Sequence, residues 1–245
     1  MKIGILGAGV MGSGIAQVTA TAGYETVCYD VDEHALAQGR EHVTTGRYGV
    51  ERGVERGKLS RDEADATLER LTFTGSFDDA AATDLVIEAV PERLELKVRV
   101  FRDLDKAAPA TTILASNTSG FPIAALAAST DRLDRVVGWH WASPPVVMRL
   151  AEIIVTRDTS DDTTSTVRDV AARCGKNPVV VKDTPMAWGF VTTRVYFAMI
   201  AEARKVVDEG IASPDDVDQL MMDCFRWPTG PFGMVKGATE GWTKS

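Results

Sequence analysis

The stretch Gly7-Ala8-Gly9-Val10-Met11-Gly12 lies between an apolar run, Lys2-Ile3-Gly4-Ile5-Leu6, and a series of small, mostly apolar residues from Val10 to Ala22. The first run suits a buried strand and the second a closely packed helix, so the glycines fall where strand gives way to helix. Each has a physical task there. Gly7 permits a tight turn, Gly9 lets the main chain approach a pyrophosphate, and Gly12 lets helix and strand pack closely. The helix start, including Val10 and Met11, offers unpaired N–H groups and a positive dipole end to phosphates. The same residues, apolar behind one lysine, also look like a secretory signal. Cleavage there would remove the first strand, and the signal reading is set aside.

The residues beyond the glycines strengthen the dinucleotide reading. Glu25-Thr26-Val27-Cys28-Tyr29 reads as a second strand and ends at Asp30, eighteen residues beyond Gly12. An acidic side chain at that place accepts both hydroxyls of an adenosine ribose. Val31-Asp32-Glu33 comes next without an arginine to meet a 2′-phosphate, which favours NAD over NADP. Asp30 has a second reading, as the cap of a helix beginning "DEHALAQG".

Strand-like and helix-like segments alternate through three quarters of the chain. Strands are expected at 71–74, 84–90, 112–115, 135–139, 150–155 and 178–182, with helical spacing at 34–71, 95–107, 122–128 and 161–174. This rhythm predicts an α/β fold, a doubly wound, mostly parallel Rossmann-type sheet with helices on both faces. From about Pro185 the pattern turns wholly helical: one long helix stops at Gly210, and Ser213 caps another. The expected division is a dinucleotide-binding domain over residues 1–184 and a small all-helical C-terminal domain over residues 185–245. An insertion near residues 38–70, "RYGVERGVERGKLSRDEADATLERL" at its centre, departs from a minimal crossover. Its Arg47, Arg52, Arg56 and Lys58 read either as a solvated helical hairpin or as a grip for the phosphates of a large substrate.

With 245 residues, 44% of them hydrophobic, the chain can bury a substantial core, and no apolar window is long enough for a membrane span. A net charge of −8 argues against general nucleic-acid affinity. Cys28, Cys174 and Cys224 lie far apart with no CxxC pair, which points to free thiols in a reducing cytoplasm, without disulfide framework or metal site.

Candidate chemistry concentrates in "RVVGWHWASPPVVMRLAEIIV". His140 ends an expected strand, and ligands of doubly wound sheets sit at strand carboxyl ends. Twelve residues on, Glu152 stands inside the next strand among Leu150, Ala151, Ile153 and Ile154, where a carboxylate is costly unless paired. A buried carboxylate facing the histidine accounts for both, holding one tautomer and stabilising the imidazolium. Spacing alone equally allows a hydrogen-bonded core histidine and an edge-strand glutamate. Ser119, in "ASNTSGFPI", reads either as a helix cap or as a hydroxyl aimed at a substrate oxygen.

Taken together, these features resemble the L-3-hydroxyacyl-CoA dehydrogenase family over nearly the whole chain. The order GxGxMG, acidic residue after the second strand, "VIEAVPERLELKVRVFRDLD", "ASNTS", "GxHxxxPxxxMxLxEI", "VKDTP…GF" and late "GPF" is kept. The resemblance implies NAD as cofactor, 3-hydroxyacyl-CoA thioesters of fatty acid metabolism as substrates, and a homodimer. It also implies His140 as catalytic base, Glu152 as its partner and Ser119 as a substrate contact. Asp30, Glu92, Lys97 and Asn117 would lie along the NAD site, and Lys58 would meet the CoA moiety. Four departures stand out. Ser143-Pro144 replaces Asn-Pro, Met186-Ala187-Trp188 is inserted before Gly189-Phe190, and Thr193 replaces a substrate-side asparagine. Family members also continue further beyond the GPF motif. A changed acyl pocket would suit a free hydroxy acid or sugar acid, and a non-catalytic nucleotide-binding relative is a third reading.

Overall fold

The computed structural model describes residues 1–184 and 186–240. Pro185, where the sequence predicts the helical region to begin, and residues 241–245 lie outside the described residues. Eight strands form one sheet: β1 (Lys2–Leu6), β2 (Glu25–Tyr29), β3 (Leu71–Thr74), β4 (Leu85–Glu88), β5 (Ile113–Ser116), β6 (Val136–His140), β7 (Leu150–Val155) and β8 (Asn177–Lys182). Their order is β3-β2-β1-β4-β5-β6-β7-β8, and every neighbouring pair is parallel except β6 and β7. The order reverses at β1, the point where such sheets open a crevice for ligands.

Helix α1 (Val10–Thr21) joins β1 to β2. The polar stretch after β2 is not one helix but three, α2 (Glu33–Thr44), α3 (Val50–Glu55) and α4 (Arg61–Glu69). Ser60 restarts the helix with a capping box: its hydroxyl accepts from Glu63 N–H, and Ser60 N–H donates to Glu63 Oε2 at 2.8 Å. Gln17 of α1 donates to Tyr48 O at 2.8 Å, tying the insertion to the dinucleotide helix. Then come α5 (Phe77–Ala81), α6 (Leu94–Ala107), α7 (Ile123–Ala127) and α8 (Asp161–Arg173). The core is built from β-strand residues Ile3, Ile5, Leu85, Ile87, Ile113 and Trp139, packed with Ile15 and Ala16 of α1 and Val167 and Val170 of α8. No helix of the described residues is long and apolar enough to cross a membrane.

The chain divides into two compact units after Trp188. The inserted Met186-Ala187-Trp188 forms a turn at that seam, with Met186 97% exposed. The second unit holds α9 (Val191–Asp208), α10 (Pro214–Phe225) and α11 (Pro231–Glu240). Ser213 and Asp216 make a capping box at the start of α10. Asp218 then receives Phe232 N–H and Gly233 N–H, each at 2.8 Å, and so caps α11.

Candidate active site

Because β1, β2, β4, β5 and β6 run parallel, their carboxyl ends line one edge, and Gly7, Asp30, Glu88, Asn117 and His140 all fall there. The glycine loop has the shape its spacing predicts. Gly7 adopts φ of 102°, and a Cβ on Gly12 would lie 1.7 Å from Gly7 O, so only hydrogen fits between helix and loop. A Cβ on Gly9 would meet nothing within 4 Å; that space is open toward a ligand. The first turn of α1, Val10 to Gly12, carries no acidic residue, leaving its amides and dipole to an anion.

Asp30 is not the helix cap. Asp32 caps α2 by accepting from His34 N–H, whereas Asp30 Oδ2 accepts from Ala8 N–H at 2.8 Å inside the glycine loop. Asp30 therefore ties the second strand to the phosphate-binding turn. The loop amide, the open space over Gly9 and this carboxylate fit a dinucleotide with an unmodified ribose.

Glu88, at the end of β4, is a residue that sequence reasoning missed. It is fully buried, and its oxygens accept from Lys97 Nζ at 2.7 Å, Ser116 Oγ at 2.6 Å and Val90 N–H at 2.8 Å. Burial pushes its carboxyl above the ordinary value, opposed by Lys97, Ser116 and the Val90 amide. Lys97 is 1% exposed and also pairs with Glu92 Oε2 at 3.1 Å. Glu92 Oε1 in turn accepts from Thr118 Oγ1 at 2.5 Å and Ser119 N–H at 2.9 Å. The signal that could have found Glu88 is the one that found Glu152: a carboxylate inside an apolar strand, "DLVIEAV".

Ser119 stands just past β5 with its main chain held by Glu92. The capping role open to it locally is filled otherwise, since Ala124 N–H at the start of α7 donates to Asp183 Oδ2 at 2.8 Å. Asn117 accepts from Trp141 N–H at 2.9 Å, joining β5 to the residue after His140.

His140 and Glu152 are directly opposite one another on the antiparallel pair β6–β7. The register brings His140 Nδ1 to 3.0 Å from Glu152 Oε2, with both residues buried. A carboxylate there accepts a hydrogen bond from Nδ1–H and so favours the tautomer whose lone pair is on Nε2. Glu152 is not an edge-strand residue, since β7 lies between β6 and β8.

A basic cavity of about 530 Å³ opens beside this edge, between α1, the insertion and the β6–β7 connection. Arg47, Arg52, Arg56, Lys58, Arg149 and Arg173 line it, and among the described residues no carboxylate does. A smaller cavity of about 200 Å³ shares Gln17, Arg47, Tyr48 and Val146 with it and reaches Val10 and Pro144. Thr193 belongs to the second unit, where it is buried in the first turn of α9.

Residues 2–184 match the family described as "3-hydroxyacyl-CoA dehydrogenase, NAD binding domain", and residues 189–244 match its "C-terminal domain". The chain is 39% identical over 234 residues to a probable 3-hydroxybutyryl-CoA dehydrogenase of Bacillus subtilis, covering 96% of this chain and 79% of that one. A solved (S)-3-hydroxybutyryl-CoA dehydrogenase from Ralstonia eutropha superposes with a TM-score of 0.91 at 38% identity, over 97% of this chain and 82% of that chain. A 5-formyl-3-hydroxy-2-methylpyridine 4-carboxylate 5-dehydrogenase of Mesorhizobium japonicum is 36% identical, over 94% of this chain and 71% of its own length.

Proposed function

Because the chain belongs to the 3-hydroxyacyl-CoA dehydrogenase family and is an NAD-dependent oxidoreductase, we propose that it interconverts 3-hydroxyacyl-CoA and 3-ketoacyl-CoA, with His140 and Glu152 as the acid–base pair. The observation that carries the CoA reading is the basic cavity. In a chain of net charge −8, seven arginine and lysine side chains, Lys176 among them, line one cavity, as suits a ligand with several phosphates.

The NAD held at this edge would supply the hydride acceptor for C3 of the alcohol. The phosphates are received at the start of α1, and Asp30 accepts the ribose hydroxyls while still holding the Ala8 amide. Glu92, steadied by Lys97, and Asn117 line the rest of that site. Ser119 offers its hydroxyl to the substrate oxygen. His140 Nε2 takes the C3-hydroxyl proton during oxidation and returns it during reduction. Glu152 holds the imidazole in the tautomer that leaves Nε2 basic, then stabilises the imidazolium formed. Lys58 and its neighbours in the insertion hold the CoA phosphates, and Thr193 is the substrate-side candidate of the second unit. We assign residues 1–184 to the cofactor and the groups that act on the substrate, and residues 185–245 to contact with a second copy of the chain. Exposed Val195, Leu220 and Phe225 in the helical unit support a homodimer.

The test compares oxidation of NADH with acetoacetyl-CoA, acetoacetate and a keto sugar acid. The expected kcat/KM for the thioester exceeds the others by at least ~10²-fold, because the remote phosphates add binding energy that the free acids cannot supply. Comparable rates on the free acids sink the CoA reading. The similarity to the Mesorhizobium enzyme, named for a pyridine carboxylate, would then favour a free acid.

A further inference from the structure

Lys176 is a buried cation that the proposed proton and hydride transfers do not use. After α8 the chain turns back, with Gly175 N–H on Ala172 O and Lys176 N–H on Ala171 O, and this turn sends the lysine side chain inward. The residue is only 7% exposed. A buried ammonium is ordinarily given a carboxylate. Here Nζ donates instead to the main-chain oxygens of Pro145 and Met148, the second at 2.7 Å, and stands 5.1 Å from the centre of the Trp141 ring. No carboxylate lies within ion-pair distance of it among the described residues. Burial lowers its pKa, as does the nearby Arg149, and Cys174 opposes them.

Both carbonyl partners belong to the connection between β6 and β7, the segment that runs from His140 to Glu152. Val147 N–H and Met148 N–H both reach Pro144 O at 3.0 Å, so the connection is a tight turn, and Lys176 fastens its two flanks. Across the turn, the Pro145 ring rests against Gly14 of α1, where a Cβ would come within 3.0 Å of it. Trp141 is held from three sides: by the Lys176 ammonium, by the stacked Trp139 ring with centroids 4.7 Å apart, and by Asn117 on its N–H. Lys176 also lines the basic cavity. One side chain thus touches the cavity wall, the turn and the residue next to His140.

We propose that Lys176 is a positioning residue: by fastening the β6–β7 connection and bearing on Trp141, it sets His140 against a substrate anchored in the basic cavity. The inference rests on the CoA-thioester reading of that cavity. A histidine misplaced by about 1 Å costs rate without costing cofactor binding, since alignment enters the transition state and the dinucleotide is held elsewhere.

Lys176→Met keeps the alkyl stem over Trp141 and removes charge and donors; Lys176→Arg restores both. The expected result for Lys176→Met is a fall in kcat on acetoacetyl-CoA of ~10- to 100-fold, with KM for NADH within about twofold of the unmodified enzyme. Hydrogen exchange of the Val147 and Met148 amides in the free protein should quicken by at least ~10-fold, with the β1–α1 amides unchanged, and Lys176→Arg should recover most of both losses. Unchanged exchange in Lys176→Met, or a kcat equal to that of the unmodified enzyme, overturns the proposal. If circular dichroism shows Lys176→Met unfolded, Lys176→Gln, which keeps one donor pair, is read by the same two measurements. The exchange readout needs no substrate. An unmodified protein inert toward acetoacetyl-CoA therefore removes the functional reading separately, while the amides still decide whether Lys176 fastens the connection.

Discussion

Asp30 had a bland alternative in the sequence, as a helix cap, and a single hydrogen bond separates the two readings. Asp30 Oδ2 on Ala8 N–H places the carboxylate against the glycine loop, not at the head of α2. Asp30→Ala is expected to weaken NADH binding by ~10- to 100-fold, the worth of charge-assisted bonds to two hydroxyls, and to leave NADPH binding unchanged or improved. Titration of nucleotide fluorescence with both cofactors checks this; equal losses for the two would mean that Asp30 only shapes the loop. For the acid–base pair, His140→Gln should lower kcat by ~10²- to 10⁴-fold while NADH still binds. Glu152→Gln works through the same ring, and the double variant should be clearly less impaired than the product of the two single losses. Multiplicative losses would show that Glu152 does not act through His140. These residues were legible because a charged or ionisable side chain inside an apolar run demands a partner. Glu88 obeys the same rule in "DLVIEAV". Its partner Lys97 lies on the following helix, so no spacing within the strand pointed to it.

At the scale of elements, the glycine loop, the parallel strands and the two capping boxes arise from local pattern, and the structure keeps them. The insertion obeys pattern less simply. Within the helical spacing from His34 to Leu71 the glycine breaks and Ser60 signal a hairpin, and the structure divides the stretch into α2, α3 and α4, which fold back so that Arg47, Arg52, Arg56 and Lys58 share one cavity. Convergence of that kind depends on how helices pack, and no window of sequence encodes it. Replacing Arg52 and Arg56 together by glutamine should raise KM for acetoacetyl-CoA about 10-fold or more and leave kcat nearly unchanged, because uniform binding is what is lost. Acetoacetyl-pantetheine, which lacks the nucleotide phosphates, should be handled alike by both proteins. A parallel loss on that shorter substrate would place the arginines elsewhere than on the phosphates.

Across the whole molecule, the three thiols report on where the core is closed. Burial pushes Cys28 and Cys174 up to about 12, with Asp30 adding to the first and Lys176 and Arg173 opposing the second, whereas Cys224 is exposed on α10. Iodoacetamide at pH 8 should therefore add one label to the native protein, at Cys224, and three in urea; prompt labelling of Cys174 would mean that the cavity wall opens readily. The antiparallel reversal at β6–β7 has a consequence of another kind. It replaces a long helical crossover with a short turn, so His140 and Glu152 meet across only twelve residues of chain. The proposed cofactor cradle, by contrast, gathers residues from Gly7 to Asn117 and is complete only when several crossovers have closed. Loop closure costs less for the hairpin, and a short hairpin can form ahead of the non-local pairings. Along the chain, too, the pair is a cassette: His140 and Glu152 fall within one contiguous stretch, and the residues gathered around the glycine loop are scattered over the first half.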